Sequence, residues 1–187
     1  MAEVFIIHGS YGNPGENWFP WLKAELEKHD CWVYVPHFPT PEKQSLENWM
    51  KVFEKYDRYI NEKSIFVGHS IGAAFILAVL EKLKNPVKAS FFVAGFVGKL
   101  GIVHFDKVNT SFVEREFNWE KIRRNCRQFH VYASDNDPYA PLDRTKELAD
   151  RLGTPLNLIR RAGHFNKSYG YSRFELLLND ILKSLKQ

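Results

Sequence analysis

The stretch "SIFVGHSIGAAFILAVL", Ser64–Leu80, sets a serine between two glycines where a short β-rich apolar run gives way to a longer apolar one. The first run reads as a strand buried on both faces, and the second as a buried helix. Their join, "GHSIG" (Gly68–Gly72), is then a strand–turn–helix corner centred on Ser70. So sharp a turn holds its central residue at strained angles and leaves no room for side chains on either flank. Its effect is to lift one hydroxyl clear of a sheet, at a helix start whose dipole favours negative charge. A serine opening a helix beside packing glycines is the plainer account. The setting between strand and helix favours a nucleophile.

Similar apolar runs recur on both sides: "VFIIH" (Val4–His8), "WVYVP" (Trp32–Pro36), "ASFFVAG" (Ala89–Gly95), "FHVYAS" (Phe129–Ser134) and "LNLIR" (Leu156–Arg160). Segments of helical periodicity separate them, among them "NWFPWLKAELEKH", "SLENWMKVFEKYDRYI" and the C-terminal "YSRFELLLNDILKSLK". This alternation predicts a single α/β domain over residues 1–187, with about six mostly parallel strands and helices on both faces. Residues 96–128 are too long for a simple crossover and are expected to form a small cap or rim.

In such sheets ligands sit beyond the carboxyl ends of the strands, so the strand-ending residues carry the functional reading. The fifth strand runs into "SDNDPYAP", offering Asp135 and Asp137, either of which could be ordinary turn chemistry. The sixth runs into "RAGHF", where His164 follows a glycine. A serine hydroxyl is a weak nucleophile that needs a base held by a carboxylate, and these residues could supply both. Acyl transfer also needs two backbone N–H donors for the developing oxyanion. Ile71, after the serine, would give one. The loop "HGSYG" after the first strand would give the other, from Ser10 or, second, Tyr11. His8 and His69 lie beside this site and read as structural.

The net charge of +4 is mild, and the basic stretches "KIRRNCR" and "IRRAGH" read as solvated surface, so no nucleic-acid partner is expected. The N-terminus has no basic leader, and "AAFILAVL" is too short to cross a bilayer. The two cysteines, Cys31 and Cys126, suit free thiols. The chain is therefore expected to be cytoplasmic, away from membranes. Neither a metal-ligand pattern such as H-E-x-x-H nor a phosphate-binding glycine loop occurs.

Taken together, "HGSYG", "GHSIG", "SDNDPYAP" and "AGHF" resemble the α/β-hydrolase superfamily over nearly the whole chain, with serine, acid and histidine in its order. The loop "PHFPTPEKQSLENW", the "VAGF" strand end and "FNWEKIRRNC" resemble the compact serine-hydrolase family of retinoblastoma-binding protein nine and YdeN-like proteins. The resemblance implies Ser70 as nucleophile, His164 as base and then acid, and Asp137 as orienting carboxylate. Asp137 is preferred to Asp135 because "DPYAP" is similar to the family's acid ending, although Ala140 stands where valine is usual. The chemistry of these residues leads to the expectation of hydrolysis of a small acyl substrate, first of all a carboxylic ester as the easiest acyl donor, with no cofactor needed and with Tyr11 at the pocket. The competing readings are a hydrolase fold that only binds a partner, and peptide cleavage or acyl transfer by the same residues. The sequence names no protein partner.

Overall fold

The computed structural model describes residues 1–186. Strands β1 (Ala2–Ile7), β2 (Cys31–Tyr34), β3 (Ile65–His69), β4 (Val87–Val93), β5 (Cys126–Ser134) and β6 (Leu156–Ile159) form one sheet. Its order is β2-β1-β3-β4-β5-β6, and every neighbouring pair is parallel. The helices are α1 (Phe19–Glu27), α2 (Leu46–Phe53), α3 (Gly72–Lys82), α4 (Val103–Val113), α5 (Trp119–Arg124), α6 (Leu142–Leu152) and α7 (Glu175–Lys186). Two 3₁₀ turns, Glu54–Tyr59 and Lys167–Tyr169, complete the regular structure.

The chain steps outward from β1 to β2, returns to β3, and then advances strand by strand to β6. Right-handed crossovers place α1 on one face and the helices of the advancing run on the other. Accordingly α1 packs with α7, while α3 packs with α2, α4 and α5. The middle of the sheet is sealed on both faces, which is why β1, β3 and β4 are apolar almost throughout. Helix α3 buries nine consecutive residues, Gly72–Leu80, as its all-round apolar sequence requires. Each large apolar side chain so enclosed contributes roughly 1.5–3 kcal/mol, and Phe75, Ile76, Leu77 and Leu80 are completely covered.

The direction of winding reverses between β1 and β3. Their carboxyl ends flank the crevice where an open parallel sheet receives its ligand.

The stretch 96–128 divides. Leu100, Phe105 and Asn109 border that crevice from above. Helix α5 packs instead on α3, α6 and β5, and residues 126–128 already belong to β5. Both cysteines are buried free thiols. Among the described residues, no helix is long and apolar enough to cross a membrane.

Candidate active site

Ser70 follows β3 directly and has φ +57°, a left-handed conformation that a non-glycine residue adopts only under constraint. The constraint is visible on each side. A Cβ at Gly68 would lie 2.8 Å from the Gly72 carbonyl carbon and 2.9 Å from the Ala73 nitrogen. One at Gly72 would lie 2.6 Å from the Ile7 oxygen. The first turn of α3 is thus pressed against the ends of both β3 and β1, and only glycine fits. The Ser70 N–H is fixed by donation to the Val93 carbonyl at 2.9 Å.

The loops after β5 and β6 meet through four side chains. Asp135 accepts the Arg161 N–H at 2.7 Å, Ser134 the Ala162 N–H at 2.9 Å, and Asn136 the Gly163 N–H at 2.8 Å. Asp137 then takes the Nδ1–H of His164 through both carboxylate oxygens, at 2.8 and 3.0 Å. "SDND" therefore grips the backbone of "RAG" and ends on an imidazole. The Asp137 side chain is 2% exposed and that of His164 10%. With its proton on Nδ1, His164 leaves Nε2 free to accept another. Behind it, His69 Nε2–H donates to the His164 carbonyl at 2.8 Å and holds that residue's backbone. Burial, with the neighbouring His164 adding to it, pushes His69 down to about 3, so it serves as a neutral donor.

The loop after β1 is equally constrained. The Phe38 N–H donates to His8 Nε2 at 3.1 Å, which puts the His8 proton on Nδ1, where it is given to the Gly9 carbonyl at 2.8 Å. Gly12 N–H donates to the same oxygen at 3.2 Å. In a trans peptide the C=O and N–H point oppositely. Tying down the Gly9 carbonyl therefore also aims the Ser10 N–H. Among the described residues, neither the Ser10 nor the Ile71 N–H makes a hydrogen bond. The Tyr11 N–H does, donating to Thr40 Oγ1 at 2.6 Å, so it is not available as an oxyanion donor.

Ser10, Tyr11, Ser70 and His164 line one cavity of about 300 Å³, and Asp137 stands behind His164. Ser70 Oγ makes no hydrogen bond among the described residues, to His164 included. Catalytic contacts are often long until a substrate tightens them. Larger cavities, of about 650, 620, 510 and 380 Å³, open at other places, and neither Ser70 nor His164 lines any of them. Residues 4–183 match the sequence profile of a family described as serine hydrolase. The chain belongs to the serine hydrolase family. It is 28% identical to YdeN of Bacillus subtilis (strain 168) over 184 residues, 97% of this chain and 95% of that one. It is also 28% identical to the serine hydrolase RBBP9 of Rattus norvegicus, over 89% of each. The crystal structure of the B. subtilis ydeN gene product superposes with a TM-score of 0.93 at 26% identity, covering all of both chains. Est1E of Butyrivibrio proteoclasticus, solved with ferulic acid, has a TM-score of 0.77 at 12% identity over all of this chain and 90% of that one, a likeness of fold.

Four cavity residues of this serine hydrolase were not singled out individually by the sequence. Phe105 sits 5.7 Å from the Tyr11 ring and 5.5 Å from that of Tyr139, centroid to centroid, and Tyr139 stands edge-on to His164 at 5.1 Å. Asn109 and Glu16 add polar groups to the same wall. Of these, Tyr139 lies in the stretch after β5 that the sequence picked out, Glu16 in the loop after β1, and Phe105 and Asn109 in the segment expected as a cap or rim. Trp18, Phe96 and Phe165 are core, and Tyr169 is partly exposed with its ring over Gly163. Among the described residues, no cluster of three or more His, Cys, Asp or Glu side chains is arranged to hold a metal ion.

Proposed function

We propose that this hydrolase cleaves small carboxylic esters through a Ser70–His164–Asp137 triad and a covalent acyl-enzyme. The reading rests above all on the bidentate hydrogen bond from His164 Nδ1–H to Asp137, whose ring shares a cavity with the strained Ser70. The bond fixes the tautomer that can take the Ser70 proton through Nε2 and stabilises the imidazolium that results. Ser70 Oγ attacks the carbonyl carbon, and the Ser10 and Ile71 N–H groups receive the oxyanion. His164 returns the proton to the departing alcohol, then activates a water that releases the acid. The half-open cavity and the Tyr11, Phe105 and Tyr139 rings suit a short acyl group with an apolar side.

The test is labelling by a fluorophosphonate probe, followed by turnover of a p-nitrophenyl ester series of increasing acyl length. Labelling of the parent that disappears in Ser70→Ala is the expected result. A folded parent that neither labels nor turns over any ester would leave a protein that uses the fold for binding.

A further inference from the structure

Asn109 sits on α4, 2% exposed, at the wall of the cavity that holds Ser70 and His164. Which way its carboxamide faces is decided by a chain of hydrogen bonds that begins at a backbone group. The Tyr11 N–H can only donate, and it donates to Thr40 Oγ1. That hydroxyl faces Gln44, whose other end meets the Val108 carbonyl, a group that can only accept. So the Gln44 atom facing Thr40 is Oε1, and the hydroxyl donates to it. The Gln44 amide nitrogen therefore lies at the other end, where it reaches the Val108 carbonyl at 3.2 Å, Ser10 Oγ at 2.8 Å and Asn109 at 2.8 Å. Ser10 Oγ, having accepted from Gln44, donates to Asn109 at 2.7 Å.

Two donors thus converge on one atom of Asn109, which must be Oδ1. The NH₂ end is what remains. Among the described residues Asn109 Nδ2 has no hydrogen-bond partner, yet it is not one of the polar atoms sealed away without one, which are Trp21 Nε1, Arg115 Nη1 and Asn166 Oδ1. It keeps contact with open space, and the residue borders the cavity. An amide held this firmly at one end, with two protons unspent at the other, is a preorganised donor.

We infer that Asn109 is a substrate-binding residue whose Nδ2 donates to the acyl oxygen of the bound substrate, beside the Ser10 N–H. The inference rests on the hydrolase reading for its role in turnover. It makes part of the segment above the sheet a working wall of the site.

Three variants separate this from a structural role. Asn109→Asp keeps the acceptor for Ser10 and Gln44 but replaces the donor by an oxygen. Asn109→Leu removes both ends, and Ser10→Ala breaks the supporting chain while leaving Asn109 in place. On p-nitrophenyl butyrate at pH 8, kcat/KM should fall about 10- to 100-fold in Asn109→Asp. Its deficit relative to the parent should shrink as the pH is lowered, because a protonated carboxyl can donate again. Asn109→Leu should show a deficit that does not vary with pH. Ser10→Ala should lose less than Asn109→Asp. Parent-like activity in Asn109→Asp, or a pH-independent loss matched by lower thermal stability, overturns the inference. A binding readout stands apart from turnover: in ¹⁵N-labelled Ser70→Ala protein, saturating butyramide should move the Asn109 side-chain amide protons downfield. Unmoved protons with butyramide bound overturn it as well, whether or not the parent hydrolyses esters.

Discussion

Asp137 meets the His164 imidazole through both carboxylate oxygens, whereas Asp135, two residues earlier, meets only the Arg161 backbone. The difference predicts opposite responses to the same chemical change. Asn at 137 would present an NH₂ group toward Nδ1 and drive the imidazole proton to Nε2, where it blocks the uptake of the serine proton. Asp137→Asn should lower kcat by about 10³–10⁴-fold. Asp135→Asn keeps an oxygen for the Arg161 N–H and should stay within about threefold of the parent. Steady-state rates on one ester settle the matter, and equal losses in both variants would remove Asp137 from its orienting role.

The corner predicts a second contrast. A Cβ at Gly68 would press on the Gly72 and Ala73 backbone and lie 2.7 Å from Ile76 Cδ1. Gly68→Ala should destabilise the fold by about 1–3 kcal/mol and cut activity at least tenfold, since the turn that carries Ser70 has to move. Gly101, with φ +78° and nothing within 4 Å of its added Cβ, is the control. Gly101→Ala should cost about 1–2 kcal/mol through its backbone angle alone. It should also leave kcat/KM near that of the parent. Denaturant titration and ester turnover on both variants measure the two effects separately.

How much of this was legible in the sequence follows from how local each cause is. Every strand was, the inner ones because a strand covered on both faces must be apolar along its length, the edge strands β2 and β6 through shorter and partly exposed runs. So was the corner, because its Gly-x-Ser-x-Gly spacing lies within five residues, although the β1 backbone that crowds Gly72 does not. Edges were less so. Strand β5 begins at Cys126 rather than Phe129, since its exposed Arg127 broke the apolar run. The helix expected over "SLENWMKVFEKYDRYI" tightens to a 3₁₀ turn after Phe53, where the buried stripe ends. The meeting of Asp137 with His164 could be anticipated only by assuming the strand order that brings β5 and β6 together. Asn109 had no such signal. It lies 99 residues from the Ser10 hydroxyl it accepts from, and "DKVNTSF" looks like any half-polar helix.

Acid stability should report the two buried imidazoles. Burial pushes His8 down to about 4 and His69 down to about 3, from an ordinary 6.5. Both are neutral in the fold, and in the unfolded chain they protonate below the ordinary value. The stability they confer is complete above about pH 6.5 and drains away as the pH falls toward 4 and then 3. The urea midpoint should be flat between pH 7 and 8 and decline from 6.5 to 4. His69→Gln should start lower at pH 7 but decline less steeply. A variant with the parent's full slope would mean that other groups carry the acid response.

Charge in the cavity gives the last prediction. Its lining contains no lysine or arginine, and the one carboxylate there is Glu16, half-buried and without an ion-pair partner among the described residues. Burial raises that carboxyl above the ordinary carboxylate value, and the Asn13 side chain reaches it only at 3.4 Å. A substrate that brings a second negative charge must lose water beside an uncompensated first one. The p-nitrophenyl monoester of succinic acid should therefore have kcat/KM about tenfold or more below that of p-nitrophenyl butyrate, an ester of the same chain length. Adding salt should change this ratio little, because the partly enclosed cavity is poorly screened. Glu16→Gln should bring the two esters closer together. A ratio that ignores the substitution would trace the discrimination to the shape of the aromatic wall instead of its charge.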